Sequence, residues 1–158
     1  MWWWRKLWKL KCPHKCKLFY WVVIYNKAPT WDNLQKRSFE GPRWCILCKL
    51  KEELIHHLFM ECTYTQATWT TTMSMGSDRM QWIGDNMEEA LRIWISARET
   101  TSIRALPCII TWGIWMARNK TIFEGKWTKP DTIAAQCLGI LQAFPQKPFD
   151  RTLIALGH

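Results

Sequence analysis

A chain of 158 residues that is 48% hydrophobic and holds thirteen tryptophans has room for one ordinary core and enough large anchors to exclude intrinsic disorder. Its formal charge of +9 is uneven: residues 1–51 hold twelve Lys/Arg against Asp32 and Glu40, and residues 52–158 hold ten Lys/Arg against eleven Asp/Glu. The longest apolar run, Leu18 to Tyr25, is eight residues against the roughly 20 of a membrane-spanning helix, and Trp2-Trp3-Trp4-Arg5-Lys6 is not followed by the apolar region and cleavage site of a secretory signal. The expectation is a soluble protein with no membrane partner, working in the nucleus or cytoplasm. There the odd count of seven cysteines favours thiols or metal ligands over disulfides.

In chain order, Lys15 to Lys27 is apolar nearly all round and reads as a buried helix, although Val22, Val23 and Ile24 would also suit a central strand. Ala28-Pro29-Thr30 breaks it, and Thr30 is placed to cap a short helix through Leu34 to Arg37. Glu40-Gly41-Pro42 reads as a turn. The segment Glu52 to Met60 reads as a helix with Leu54 and Leu58 on one face.

The Thr-, Ser- and Met-rich stretch 70–79 reads as a linker. After it, Met87, Leu91, Trp94 and Ile95 form the stripe of a helix from about Asn86 to Arg98, and Ile109 to Phe123 continues as another apolar stretch behind Pro107. Thr128, with Pro130 in the first turn, opens a helix whose stripe is Ile133, Cys137, Ile140, Leu141 and Phe144. Pro145 and Pro148 end it. The fold class is therefore mainly α.

Cys45-Ile46-Leu47-Cys48 is a two-residue-spaced pair, which a reverse turn can aim at one point. Cys62 and a histidine, His57 or its neighbour His56, complete a set of four. Zinc(II) is a borderline-soft d10 ion that prefers thiolate and imidazole in tetrahedral geometry, and four protein donors leave no place for a substrate water. The site is expected to hold one structural Zn2+. Cys12 and Cys16 lack a second pair at matching spacing, and Cys108 and Cys137 fall in apolar stripes, so these four read as core.

At this point the sequence resembles the zinc-binding domain of LINE-type reverse transcriptases. Three blocks carry the likeness: Trp8-Lys9-Leu10 through Pro13 to Lys17-Leu18-Phe19-Tyr20-Trp21; Ala28-Pro29-Thr30 with Leu34 and Arg37; and Cys45-x2-Cys48 with Glu53, His57-Leu58-Phe59, Cys62 and Trp69. A looser likeness follows at Trp115-Met116-Ala117-Arg118-Asn119. The resemblance implies a domain at residues 8–69, with a linker at 70–85 and a helical C-terminal extension at 86–144. It also implies metal ligands Cys45, Cys48, His57 and Cys62, which decides the histidine in favour of His57. The chain departs from the family pattern at Cys12, Cys16 and Leu54.

The function this implies is that of a non-catalytic zinc module derived from a retrotransposon reverse transcriptase and assisting nucleic-acid binding. A polymerase Tyr-x-Asp-Asp motif and spaced magnesium carboxylates are missing. Neither His56 nor His57 is followed by the Glu of a zinc deaminase. The basic excess supplies candidate phosphate contacts at Arg5, Lys6, Lys9, Lys11, Lys15, Lys17, Lys36, Arg37 and Arg43. Trp21 and Trp31 are expected in the core; for Trp2 to Trp4 and Trp8, core and base stacking both remain open. The alternatives are a protein-interaction module that docks a partner through the C-terminal helices, or a retroelement remnant without a role.

Overall fold

In the computed structural model, residues 2–75, 81–97 and 103–144 are described, Trp2 by its backbone alone. Helix α1 (Trp2–Lys9) buries Trp3 and Leu7 at helical spacing, with Leu10 just beyond its end, and turns Arg5, Lys6 and Lys9 to solvent. Its C-terminal carbonyls are satisfied by a cation: Lys17 Nζ donates to Trp8 O at 3.2 Å and Leu10 O at 3.1 Å. Its buried stripe, Trp3, Leu7 and Leu10, is only three positions long, too short for periodicity to reveal the helix in the sequence.

Pro13 precedes α2 (His14–Ile24), which buries Cys16, Phe19, Tyr20 and Val23. Helix therefore prevails over strand at Val22 to Ile24, and Asn26, at φ 53°, stops it. Trp21 lies off the buried stripe and is 36% exposed, which corrects the expectation that it is core. Thr30 does precede α3 (Trp31–Gln35), but its hydroxyl donates to the Asp32 carboxylate instead of accepting a backbone N–H. Trp31 is half-buried against Gly41, where an added Cβ would stand 2.3 Å from the ring; only glycine lets the backbone come so close.

The segment expected as a helix from Glu52 to Met60 divides. Glu52 pairs with Trp44 in an isolated antiparallel bridge and Glu53 N–H donates to Arg43 O at 2.9 Å, so those residues stay extended and winding begins at Ile55. Leu54 is accordingly 43% exposed while Leu58 is fully buried. Residues His57–Glu61 form a π-helical turn, and α4 (Thr63–Met75) follows.

Helix α4 also corrects the expected linker, for residues 70–75 belong to it. Its buried threonines satisfy their own hydroxyls: Thr65 donates to Leu58 O, Thr68 to Tyr64 O and Thr72 to Thr68 O, at 2.6–2.9 Å. A threonine-rich stretch can thus line an apolar interface without an unpaired polar group. Of the remaining linker, 76–80 lies outside the described residues, as do Arg98, Pro145 and Pro148, and 81–85 is described and non-helical.

Helix α5 (Met87–Ser96) begins with a reciprocal cap: Asn86 Oδ1 accepts from Glu89 N–H at 2.8 Å, and Glu89 Oε2 accepts from Asp85 N–H at 2.7 Å. Its buried face is the expected Met87, Leu91, Trp94 and Ile95. Helix α6 (Leu106–Glu124) carries Pro107 in its first turn and ends on Gly125 in the left-handed region at φ 65°. Helix α7 (Pro130–Ala143) starts after Lys129; Thr128 instead gives its carbonyl to the Tyr64 hydroxyl. Of the stripe expected there, Ile133 and Cys137 are buried, Ile140 and Leu141 half-buried, and Phe144 is exposed.

Helix α6 packs on α2 and α7, and α7 also packs on α4. Phe19, Phe59, Trp112 and Trp115 share an aromatic cluster from α2, the π-turn and α6, and Trp69, Trp82 and Trp94 form a second one. One apolar core runs through all these elements. The described structure is mainly α.

Candidate metal centre

A short hairpin presents the first two cysteines. Cys45 N–H donates to Lys51 O and Lys49 N–H to Cys45 O, both at 2.8 Å. Lys49, at φ 60°, reverses the chain so that Leu50 N–H faces Cys48 Sγ at 3.5 Å. A backbone N–H so aimed can donate to the sulfur of a metal-bound cysteine.

The π-turn presents the other two. Positions five apart on an α-helix lie about 140° apart around the axis, which would point His57 and Cys62 away from one another. Here Cys62 N–H bonds to His57 O at 2.7 Å, widening the turn and bringing both side chains to one side. Cys62 also stands at the N-terminus of α4, the positive end of its dipole.

The four donor atoms lie within 4.8 Å of one another. Cys45 Sγ is 3.8 Å from Cys62 Sγ, and Cys48 Sγ is 3.3 Å from His57 Nε2. Zinc bonds of about 2.3 Å to sulfur and 2.0–2.1 Å to nitrogen demand tetrahedral edges of roughly 3.8 Å between sulfurs and 3.5 Å between sulfur and nitrogen. Three thiols and one imidazole at these separations fit a single zinc ion, and four protein donors make the site a structural one.

The surroundings agree. Cys45, His57 and Cys62 are buried and Cys48 is half-buried. Burial lowers the His57 pKa, and Glu61 opposes that shift only in part, so the ring is held in the neutral form a metal ligand needs. With Nε2 toward Cys48, Nδ1 is buried without a hydrogen bond, and Glu61 Oε2 stands 4.0 Å from it. That carboxylate is placed to orient a ligating ring. The Cys62 pKa is lowered by its hydrogen bond with Cys45 and by the N–H groups of Thr65 and Tyr64, whereas the contact with Cys62 and burial raise that of Cys45. His56 points elsewhere, its Nε2 3.3 Å from Glu61 Oε1 on the exposed side.

The remaining cysteines are buried outside this group. Burial pushes Cys16 and Cys137 up to about 12, and Cys108 well up, while a hydrogen bond with Cys108 lowers Cys12.

Behind the metal centre, Glu53 and Arg118 form a buried two-pronged ion pair, Nε to Oε2 at 3.1 Å and Nη2 to Oε1 at 2.7 Å. Glu53 Oε1 also accepts Trp31 N–H at 2.9 Å, and the guanidinium lies 4.6 Å from the Trp115 ring centroid. Glu53 and Arg118 fall in separate blocks of the sequence, and their pairing across 65 residues is visible only in the fold.

The candidate phosphate contacts spread over several elements. Arg5, Lys6 and Lys9 lie on the exposed face of α1, Lys11 just after it, Lys36 and Arg37 after α3, and Arg43 at the hairpin. Lys15 sits 5.6 Å from the Trp112 ring centroid, and Lys17 is committed to the end of α1.

Residues 1–69 match the family described as zinc-binding in reverse transcriptase. The chain is also 24% identical over 130 residues to "Putative ribonuclease H protein" of Arabidopsis thaliana, an alignment covering 78% of this chain and 20% of that protein. The chain thus spans about a fifth of the length of the curated relative it matches. No solved structure matches it.

Proposed function

We propose, from residues 1–69 being a reverse-transcriptase zinc-binding domain, that this chain is a non-catalytic module of retrotransposon origin that assists nucleic-acid binding in the nucleus or cytoplasm. The observation that carries the reading is electrostatic: Arg5, Lys6, Lys9 and Lys11 are exposed on or beside α1, within a third of the chain that holds the whole basic excess. Zinc, when bound, fixes the hairpin and the π-turn against the helices; the phosphate contacts come from the chain's own cations. Four protein donors around the ion leave no position for a substrate, which supports an accessory role. The relative's ribonuclease H name belongs to a protein of which this chain spans 20%.

Phosphate contacts displace counterions, with a slope of log affinity against log salt of about −0.7 per contact on single strands. Replacing Lys6, Lys9 and Lys11 together flattens the slope by about two units if all three bind phosphate. An affinity independent of salt, or unchanged after deletion of residues 1–11, sinks the reading. A protein-docking role then takes its place, favoured by Phe123 and Trp127 at the α6–α7 connection, which are 79% and 52% exposed.

A further inference from the structure

We infer that the outward face shared by α1 and α2 is a stacking platform for unpaired bases, and so selects single-stranded over double-stranded nucleic acid. The inference rests on the nucleic-acid reading above and names the ligand class of that surface.

Four rings make the platform. Trp8 meets Trp4 with centroids 5.2 Å apart, Trp4 meets Trp21 at 6.1 Å, and Trp21 meets Tyr25 at 5.6 Å, all edge to face. His14 extends the row at 5.4 Å from Trp8. Trp4, Trp21 and Tyr25 are 37%, 36% and 44% exposed, and Trp8 is half-buried.

The most deeply buried anchors of the two helices are other residues. Helix α1 is anchored through Trp3 and Leu7, and α2 through Cys16, Phe19, Tyr20 and Val23. Trp4 and Tyr25 meet the buried Trp3 at 5.9 and 6.4 Å, so the row continues outward from the core and leaves apolar area in water, while the edge-to-face contacts hold the rings in place and lower the entropy lost on binding.

Charge selects the occupant. Neither helix contains an acidic residue, and Arg5 and Lys9 are exposed beside Trp4 and Trp8. A polyanion is therefore favoured over a protein surface, whose own cations would be repelled. Among polyanions, a duplex offers phosphates but keeps its bases stacked on one another; a single strand offers both phosphates and free base faces.

The test uses the zinc-loaded full chain, a short fluorescein-labelled oligothymidylate or oligouridylate, and a duplex of equal length, followed by anisotropy at several salt concentrations. Trp4→Ala, Trp21→Ala and Tyr25→Ala should each lower single-strand affinity by about five- to a hundred-fold, as lost stacking does. Duplex affinity and the salt slope should stay unchanged. Trp4→Phe and Trp21→Phe should keep most of the single-strand affinity, which guards against a variant that merely misfolds. Unchanged affinity in the alanine variants, equal losses on the duplex, or failure of the phenylalanine variants overturns the platform and leaves the nucleic-acid reading standing. Binding of neither probe at low salt overturns both. A dimer that the alanine variants dissociate, with oligonucleotide affinity intact, assigns the face to a second copy and also overturns it.

Discussion

The Arg118 guanidinium grips the Glu53 carboxylate with two nitrogens at 3.1 and 2.7 Å, and both side chains are sealed from solvent. The pair ties the hairpin of the metal centre to the C-terminal half of α6, and the same carboxylate fixes the start of α3 through Trp31 N–H. Breaking one partner leaves the other charge buried.

Arg118→Ala is therefore expected to cost about 3–5 kcal/mol in urea unfolding, with Glu53→Gln also strongly destabilising. The double replacement Glu53→Leu with Arg118→Met should recover a large part of the loss. A single-variant cost under about 0.5 kcal/mol would show that the pair is not closed in solution.

Zinc stoichiometry separates the ligands from their neighbours. Cys62→Ser and His57→Ala should lower zinc retention, and Cys12→Ser and His56→Ala should leave one equivalent in place, because neither Cys12 nor His56 belongs to the four-donor group. Metal analysis after dialysis against a weak chelator reads it. Loss of zinc in Cys12→Ser with retention in Cys62→Ser reverses the assignment.

The two neighbouring tryptophans of α1 should differ in what they contribute to stability. Trp3 is 2% exposed, and Trp3→Ala should cost about 3–5 kcal/mol as a core truncation does. Trp4→Ala, which removes a partly exposed ring that meets Trp3, Trp8 and Trp21, should cost less, about 1–2 kcal/mol. Equal costs in thermal unfolding would mean that α1 is not docked as described.

Chelation should loosen residues 43–62 first, since metal binding is coupled to ordering of so short a loop. The loss should then spread to the first turn of α4, whose N-terminus Cys62 supplies, and to α6 around Arg118. Hydrogen exchange with and without chelator follows this directly. Full protection retained at Tyr64 and Thr65 after zinc removal would contradict it.

Much of the fold is legible in the sequence where periodicity is regular. The stripe of α5 and the proline in the first turn of α7 are examples, because burial and capping there are decided within a few residues. The three zinc cysteines are legible for a related reason, since spacing and donor chemistry specify them almost without the rest of the chain, whereas the choice of His57 over His56 comes from the family resemblance. What escapes are features decided at long range. Helix α1 shows too short a stripe, and its end is closed by Lys17 from the next helix. The threonines of α4 look like loop composition until their hydroxyls are seen bonded to the preceding turns. Trp21 sits within an apolar run, yet the buried face of α2 is filled by other residues, which turns it outward.

Trp69 is the last residue of the family match and also the first ring of the Trp69, Trp82 and Trp94 cluster, halfway along α4. A fragment cut at residue 69 would split that helix and strip Phe19 and Phe59 of Trp112 and Trp115. It would also orphan the Glu53 charge. Such a fragment keeps all four zinc donors yet exposes a sticky aromatic surface, so it should aggregate even when fully metallated. The smallest length able to stand alone must reach at least to the end of α6 at Glu124.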